Sequence, residues 1–112
     1  MTVTHMIVCR FKDGTSNEVI EEVCRDIVAL KDTCINPVTQ KPYIKSFVGG
    51  KDHSPEGAQH GMTHGFVAQF ESPEDRNYYV SQDSAHLALG VKIAPVVEKF
   101  LCLDFTEGFW CR

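Results

Sequence analysis

The sequence has no hydrophobic run long enough to cross a membrane. Its longest apolar stretches, such as Ile93–Val97, fall well short of the roughly 20 residues that a membrane helix needs. The N-terminus also has no basic region followed by an apolar run, so a secretory leader is not expected. We therefore predict that the chain neither crosses a membrane nor is secreted.

Clusters of basic residues are also missing. The chain has 11 Lys and Arg against 15 Asp and Glu, which gives a formal net charge of -4, and the basic residues are scattered singly. Proteins that follow a phosphate backbone need grouped Lys and Arg, so nucleic acid is not an expected partner.

Motifs for metal, phosphate or nucleophilic chemistry are absent as well. The five cysteines form no Cys-x-x-Cys pair and are odd in number, which favours reduced thiols and a cytoplasmic location. Gly49-Gly50 is followed by no helix, and no Gly-x-Ser-x-Gly elbow occurs. His60 and His64 fall in a predicted loop and strand, where four residues span about 13 Å, so a shared metal is not expected. We expect neither a metal nor a cofactor.

The length and composition indicate one domain. The chain has 112 residues, of which 43% are apolar and 23% charged, the balance of a globular protein with one core. We predict a single domain over residues 1–112, in which residues 106–112 form a C-terminal tail.

Alternating patterns predict four strands. In Val3–Phe11 the odd-numbered residues share one face and the even-numbered residues the other, and both faces are largely apolar. Further strands are predicted at Tyr43–Val48, closed by Gly49-Gly50, at Met62–Phe70 and at Phe100–Phe105.

Two helical regions separate these strands. Thr15 and Glu18 have the form of a capping box, and apolar residues then recur at helical spacing as far as Leu30. Ser72-Pro73 is typical of a second helix start. Residues 81–84 interrupt that helix, and a further helical stretch is predicted from about Ala85 to Lys99, with a kink or break at Pro95.

The order β-α-β-β-α-β predicts an α+β, ferredoxin-like subunit with helices on one face of an antiparallel sheet. The other face would expose Met6, Val8, Val67 and Leu101, a larger apolar patch than monomers usually show. We therefore expect a homodimer that pairs through the sheet.

Several blocks together resemble the stress-responsive A/B barrel domain family over nearly the whole chain. They are Val3–Val8, Phe11–Asp13, Thr63–Phe66, Asp75–Val80, Ala85–Ala88 and Leu103–Phe105. The resemblance implies a dimeric α/β barrel with a cavity between sheet and helices in each subunit. The family contains both stress-induced proteins without a settled reaction and a plant polyketide cyclase that uses no cofactor.

The resemblance also implies a site. His86 matches the family's base on a late helix, Tyr79 matches the tyrosine that supports it, and His5 and His64 match histidines of the pocket. Ser84 stands where the family usually has proline, and the spacing from Tyr79 to His86 is one residue longer, so Tyr78 or Val80 could face the cavity instead. Apolar residues of the same elements complete the expected binding set: Ile7, Phe66 and Leu89.

These residues favour cofactor-independent cyclase or lyase chemistry on a small hydrophobic carbonyl compound such as a polyketide intermediate. A neutral imidazole can take a proton from a carbon next to a carbonyl. The alternative is a non-catalytic stress-response barrel that binds a hydrophobic ligand or assembles structurally. Haem or metal-free oxygen chemistry ranks lower, because no residue marks an axial ligand or oxygen site.

Overall fold

The computed structural model describes residues 1–111, which form one four-stranded sheet with four helices. In chain order the elements are β1 Val3–Phe11, α1 Asn17–Val28, α2 Leu30–Thr33, β2 Ile44–Lys51, β3 His64–Phe70, α3 Pro73–Ser81, α4 Ser84–Ile93 and β4 Val97–Phe105. Each helical region of the predicted β-α-β-β-α-β order is thus divided into two helices.

The strands lie in the order β2-β3-β1-β4, and all neighbours are antiparallel. Because β1 is central, its residues meet partners on both sides: His5 lies opposite Ala68 of β3 and Asp104 of β4. This arrangement confirms the predicted ferredoxin-like, α+β fold, and it brings the last strand of the chain next to the first.

The helix starts follow capping chemistry, with one correction. Ser16, and not Thr15, caps α1, since the Ser16 hydroxyl accepts a hydrogen bond from the Val19 N–H at 3.2 Å. The Thr15 hydroxyl instead donates to the Lys12 carbonyl at 2.6 Å, so it closes the preceding turn. The predicted start of α3 is confirmed, because the Ser72 hydroxyl accepts from the Asp75 N–H.

The end of the last helical stretch was predicted too late. The helix α4 ends at Ile93, and Val97 already belongs to β4. Pro95 has no N–H to continue a helix, and the Val96 carbonyl accepts from the Lys12 N–H at 2.8 Å, which joins this segment to the end of β1. The last strand therefore begins three residues before Phe100.

The second strand was predicted too short. Gly49 and Gly50 do not close it but pair with Phe66 and Gly65 of β3, and the strand runs on to Lys51. A neighbouring strand supplies hydrogen bonds that outweigh the weak strand preference of glycine.

The two faces of the sheet differ in what covers them. Facing the helices, alternate residues of β1 and β3 are buried, as predicted: Val3, His5, Cys9, Phe11, Phe66, Ala68 and Phe70. The opposite face is left open, where Met6 is 36%, Leu101 60% and Leu103 63% exposed. Within residues 1–111, no helix is both long and apolar enough to span a membrane.

Candidate active site

A cavity of about 750 Å³ lies between the sheet and the helices, and all four helices contribute residues to its wall. Apolar side chains from strands and helices form most of its wall, among them Ile7, Phe11, Leu30, Phe66, Leu89 and Ile93. Four polar side chains in mutual contact also line it: His5, Tyr79, His86 and Asp104. The cavity therefore combines a large apolar volume with one cluster of groups that can exchange protons.

His86 is held in one tautomer by its neighbours. It is the third residue of α4, and its Nδ1 lies 2.8 Å from the backbone carbonyl oxygen of Tyr79. A carbonyl oxygen only accepts, so Nδ1 carries the proton and Nε2 is the nitrogen left to act as a base. The ring also stacks on the Tyr79 ring, with 3.9 Å between centroids and 25° between planes.

The surroundings of His86 favour its neutral form. Burial lowers the pKa of the imidazole from its ordinary value near 6.5, and the bond to the Tyr79 carbonyl offsets this only in part. A neutral ring is the form that can accept a proton near neutral pH.

Asp83 orients the helix that carries His86. Its side chain is the cap of α4, where Oδ1 accepts from the N–H groups of Ala85 at 3.0 Å and His86 at 3.3 Å. Its Oδ2 accepts from the Tyr43 hydroxyl at 2.6 Å, and the residue is only 2% exposed. Our sequence analysis missed Asp83, although an aspartate directly before Ser84 at a predicted helix start is a local capping signal.

His5 belongs to a chain of polar contacts that ends at the protein surface. Its Nδ1 lies 2.5 Å from Oδ1 of Asp104, and Oδ2 of Asp104 accepts from Arg76 at 2.7 Å. The carboxylate only accepts, so Nδ1 of His5 carries the proton and Nε2 is free for other contacts. Asp104 was also missed as a site residue, although it alternates with Phe100 and Cys102 on the cavity face of β4.

Tyr79, the predicted partner of His86, contacts the imidazole, but not through its hydroxyl. The residue is 1% exposed and meets His86 through its ring and its backbone carbonyl. Its hydroxyl has no hydrogen-bond partner among residues 1–111, and burial raises the pKa of this phenol. The phenol therefore remains protonated and can donate a hydrogen bond to a ligand.

The other predicted binding residues divide into two groups. Ile7, Phe66 and Leu89 line the cavity, whereas His64 and Tyr78 do not. His64 lies at the start of β3, where it contacts Thr63 Oγ1 at 2.9 Å and meets the edge of the Phe11 ring. It contributes instead to a second cavity, between the strand ends and the loop that precedes β3.

Tyr78 packs against Tyr43, with 5.7 Å between ring centroids. Tyr79 lines the cavity, whereas Tyr78, one residue earlier on α3, is not part of its wall. Val80 lies at the cavity wall beside Tyr79.

Nucleophilic and metal chemistry find little support in the described part of the chain. Burial raises the pKa of the Cys9 thiol to about 11 and also raises that of Cys102, so the two thiols that line the cavity stay protonated. Residues 1–111 contain no group of three or more His, Cys, Asp or Glu side chains placed to hold a metal ion. The arrangement is suited to acid–base chemistry by His86, His5 and Tyr79.

Two known plant proteins are similar to the chain over most of their lengths. It is 34% identical over 103 residues to the stress-response A/B barrel domain-containing protein HS1 of Arabidopsis thaliana, a match that covers 92% of this chain and 87% of HS1. It is 32% identical over 106 residues to olivetolic acid cyclase of Cannabis sativa, with 95% and 97% covered.

Solved structures share the fold. The crystal structure of At3g17210 from Arabidopsis thaliana matches with a TM-score of 0.82 at 32% identity, covering 98% of this chain and 99% of that one. A structure from Thermobifida fusca, described as a dimeric ferredoxin-like protein of unknown function, matches with a TM-score of 0.71 at 19% identity, covering 94% and 90%. At that identity the likeness shows the fold alone.

A family profile covers nearly the whole chain. The profile described as "Stress responsive A/B Barrel Domain" matches residues 3–107, which include all four strands. The last few residues of the tail lie beyond the match. Together with the two plant relatives, this match means that the chain belongs to the stress-responsive A/B barrel domain family.

Proposed function

We propose that the protein is a cofactor-independent cyclase or lyase that acts on a small hydrophobic carbonyl compound, such as a polyketide intermediate, with His86 as general base. The observation that carries this proposal is the position of His86 in the wall of an apolar cavity, with its Nδ1 bound to a carbonyl oxygen and its Nε2 available. Burial, which lowers the pKa of the imidazole, favours the neutral ring that a base requires. The family includes olivetolic acid cyclase, and this relative supports the reaction class.

In the proposed reaction, Nε2 of His86 removes a proton from the carbon next to a substrate carbonyl. The C–H electrons move into the adjacent bond and leave negative charge on the carbonyl oxygen, which forms an enolate. The enolate carbon then attacks a second carbonyl of the same molecule, and the proton on His86 is available for the alkoxide that results. A general base of this kind typically accelerates a reaction by about 10²–10⁴-fold.

The developing charge on oxygen needs hydrogen-bond donors that are already in position. The Tyr79 hydroxyl is one candidate, because it is protonated and has no partner among the described residues. His5 is the second, since the Asp104 carboxylate holds its Nδ1 and orients the ring beside Tyr79, with 5.8 Å between the ring centroids.

The proposed assembly is a cytoplasmic homodimer that pairs through the open face of the sheet. Leu101, Leu103 and Met6 on this face are largely or partly exposed, and burying them against a second copy would remove apolar surface from water. The dimeric description of the Thermobifida fusca protein supports this assembly.

The competing proposal is a non-catalytic barrel that binds a hydrophobic ligand. It is supported by the similarity to HS1, which is named for stress response, and by the apolar wall of the cavity. The two proposals differ in what His86 does, so a variant of this residue separates them.

The test is turnover of linear polyketide thioesters by the wild type and by His86→Ala, followed by mass spectrometry of cyclised product. We expect the variant to lose turnover by about 10²–10⁴-fold while its urea unfolding curve changes little. His53→Ala, in an exposed loop, is the matched control and should retain full turnover. If no substrate is turned over, and His86→Ala instead loses about 1–3 kcal/mol of stability, the non-catalytic proposal is favoured.

A further inference from the structure

Gly49 lies directly beneath a wall residue of the cavity. It pairs with Phe66 across β2 and β3, and the Phe66 ring, which lines the cavity, lies over the position where a side chain at residue 49 would stand. A Cβ at residue 49 would overlap Cδ1 of Phe66, and it would lie 2.7 Å from Cε1 of that ring and 2.9 Å from the Gly65 carbonyl oxygen.

The backbone of Gly49 does not itself require glycine, because its φ angle lies outside the left-handed region. The requirement comes from space, since the Phe66 ring occupies the volume that every other residue would fill. The adjacent Gly50 is different, because a Cβ there meets no atom within 4 Å.

A methyl group at residue 49 would therefore move the Phe66 ring. The Gly65 carbonyl belongs to a paired strand and cannot give way, and Phe66 itself is 2% exposed in a packed core. The cavity is the empty space next to the ring, so a shift of about 1.5 Å, the amount needed to restore ordinary contact distances, would carry the ring into it.

We infer that Gly49 is a specificity-determining residue that sets the size of the cavity through the Phe66 ring, and thereby the length of the alkyl chain that the site accepts. The inference rests on the proposed function for its substrate class, a carbonyl compound with an apolar tail. The contact between Gly49 and Phe66 is independent of that function.

The test compares binding of straight-chain methyl ketones, from hexanone to undecanone, to the wild type, Gly49→Ala and Gly50→Ala by isothermal titration calorimetry. Gly49→Ala should bind the longer ketones more weakly, by roughly fourfold for each methylene that no longer fits, and should keep its affinity for the shortest ones. Gly50→Ala should keep the wild-type profile. The double variant Gly49→Ala/Phe66→Leu should regain the longer ketones.

A crystal structure of Gly49→Ala tests the role of Gly49 separately from the proposed substrate class. If the wild type binds no ketone, the proposed substrate class fails, while displacement of the Phe66 ring still decides the role of Gly49. If the wild type binds ketones and Gly49→Ala keeps the same length preference, the inference is overturned and the proposed function stands. Should Gly49→Ala not fold, Phe66→Leu alone must extend the preference to longer ketones, and an unchanged profile would refute the inference.

Discussion

Replacing Asp83 with alanine should damage stability and activity together. Its carboxylate caps α4 through the N–H groups of Ala85 and His86 and also accepts from the Tyr43 hydroxyl. Loss of a helix cap costs about 0.5–2 kcal/mol, and the partly buried Tyr43 hydroxyl left without its partner adds a cost toward the lower end of the roughly 1–3 kcal/mol of a buried group. We expect Asp83→Ala to lose about 2–4 kcal/mol of unfolding free energy.

Urea unfolding followed by circular dichroism measures this loss, and two variants serve as controls. Ser72→Ala removes a cap that has only the Asp75 N–H as partner, so it should lose about 1 kcal/mol. Asp83→Asn keeps an acceptor for the α4 cap and should lose less than Asp83→Ala. In the assay for turnover, Asp83→Ala should fall well below Ser72→Ala, because the first turn of α4 carries His86.

The reasoning fails if Asp83→Ala unfolds at the same urea concentration as Ser72→Ala. It also fails if Tyr43→Phe and Asp83→Ala destabilise additively in the double variant, because residues that share one hydrogen bond should show coupling.

Three further predictions follow from the structure. Burial lowers the pKa of His86, and a histidine acts as a base only when it is neutral. The acidic limb of the pH profile of kcat/KM should therefore have its midpoint below pH 6.5. A midpoint at or above that value argues against His86 as the base. Asp104→Asn should reduce kcat more than it raises KM, because it weakens the orientation of His5; equal turnover by wild type and variant would remove His5 from the mechanism. Leu103→Asp should convert the proposed dimer into a monomer in sedimentation analysis, whereas Val38→Asp, at a loop position that is 88% exposed, should not. A dimeric Leu103→Asp variant would mean that the open face is not the interface.

Features that depend on neighbouring residues were predictable. The bounds of β1 and the two faces of β1 and β3 agree with the alternation, because side chains in a strand point to opposite sides by geometry alone. The start of α3 at Ser72-Pro73 agrees for the same reason, since capping involves groups within one turn. Most errors arose where a distant strand decided the outcome, as for Val97 and for Gly49-Gly50. The cap of α1 was the local exception, since it was assigned to Thr15 and is Ser16.

The candidate site shows the same difference between local features, which were predictable, and long-range contacts, which were not. His86, Tyr79 and His5 were expected in the cavity and lie there. The alternation of the strand residues could not predict that His5 lines the cavity while His64 does not. Both histidines lie on the helix-facing side of the sheet, yet His64 is the first residue of β3 and packs against the Phe11 ring. The partnership of His5 with Asp104 joins residues 99 positions apart, and only the pairing of β1 with β4 brings them together.

The amino-acid sequence by itself therefore determined the order of the elements, the apolar character of both sheet faces and the presence of histidines on the strands and a late helix. Tertiary structure decided which of those histidines share a cavity, which nitrogen of His86 is free and how much room Phe66 leaves beside Gly49. The physical reason is the distance along the sequence over which each kind of interaction acts. Backbone periodicity and capping act within a few residues, whereas hydrogen-bond partners, burial and cavity shape are set by segments that meet only after folding.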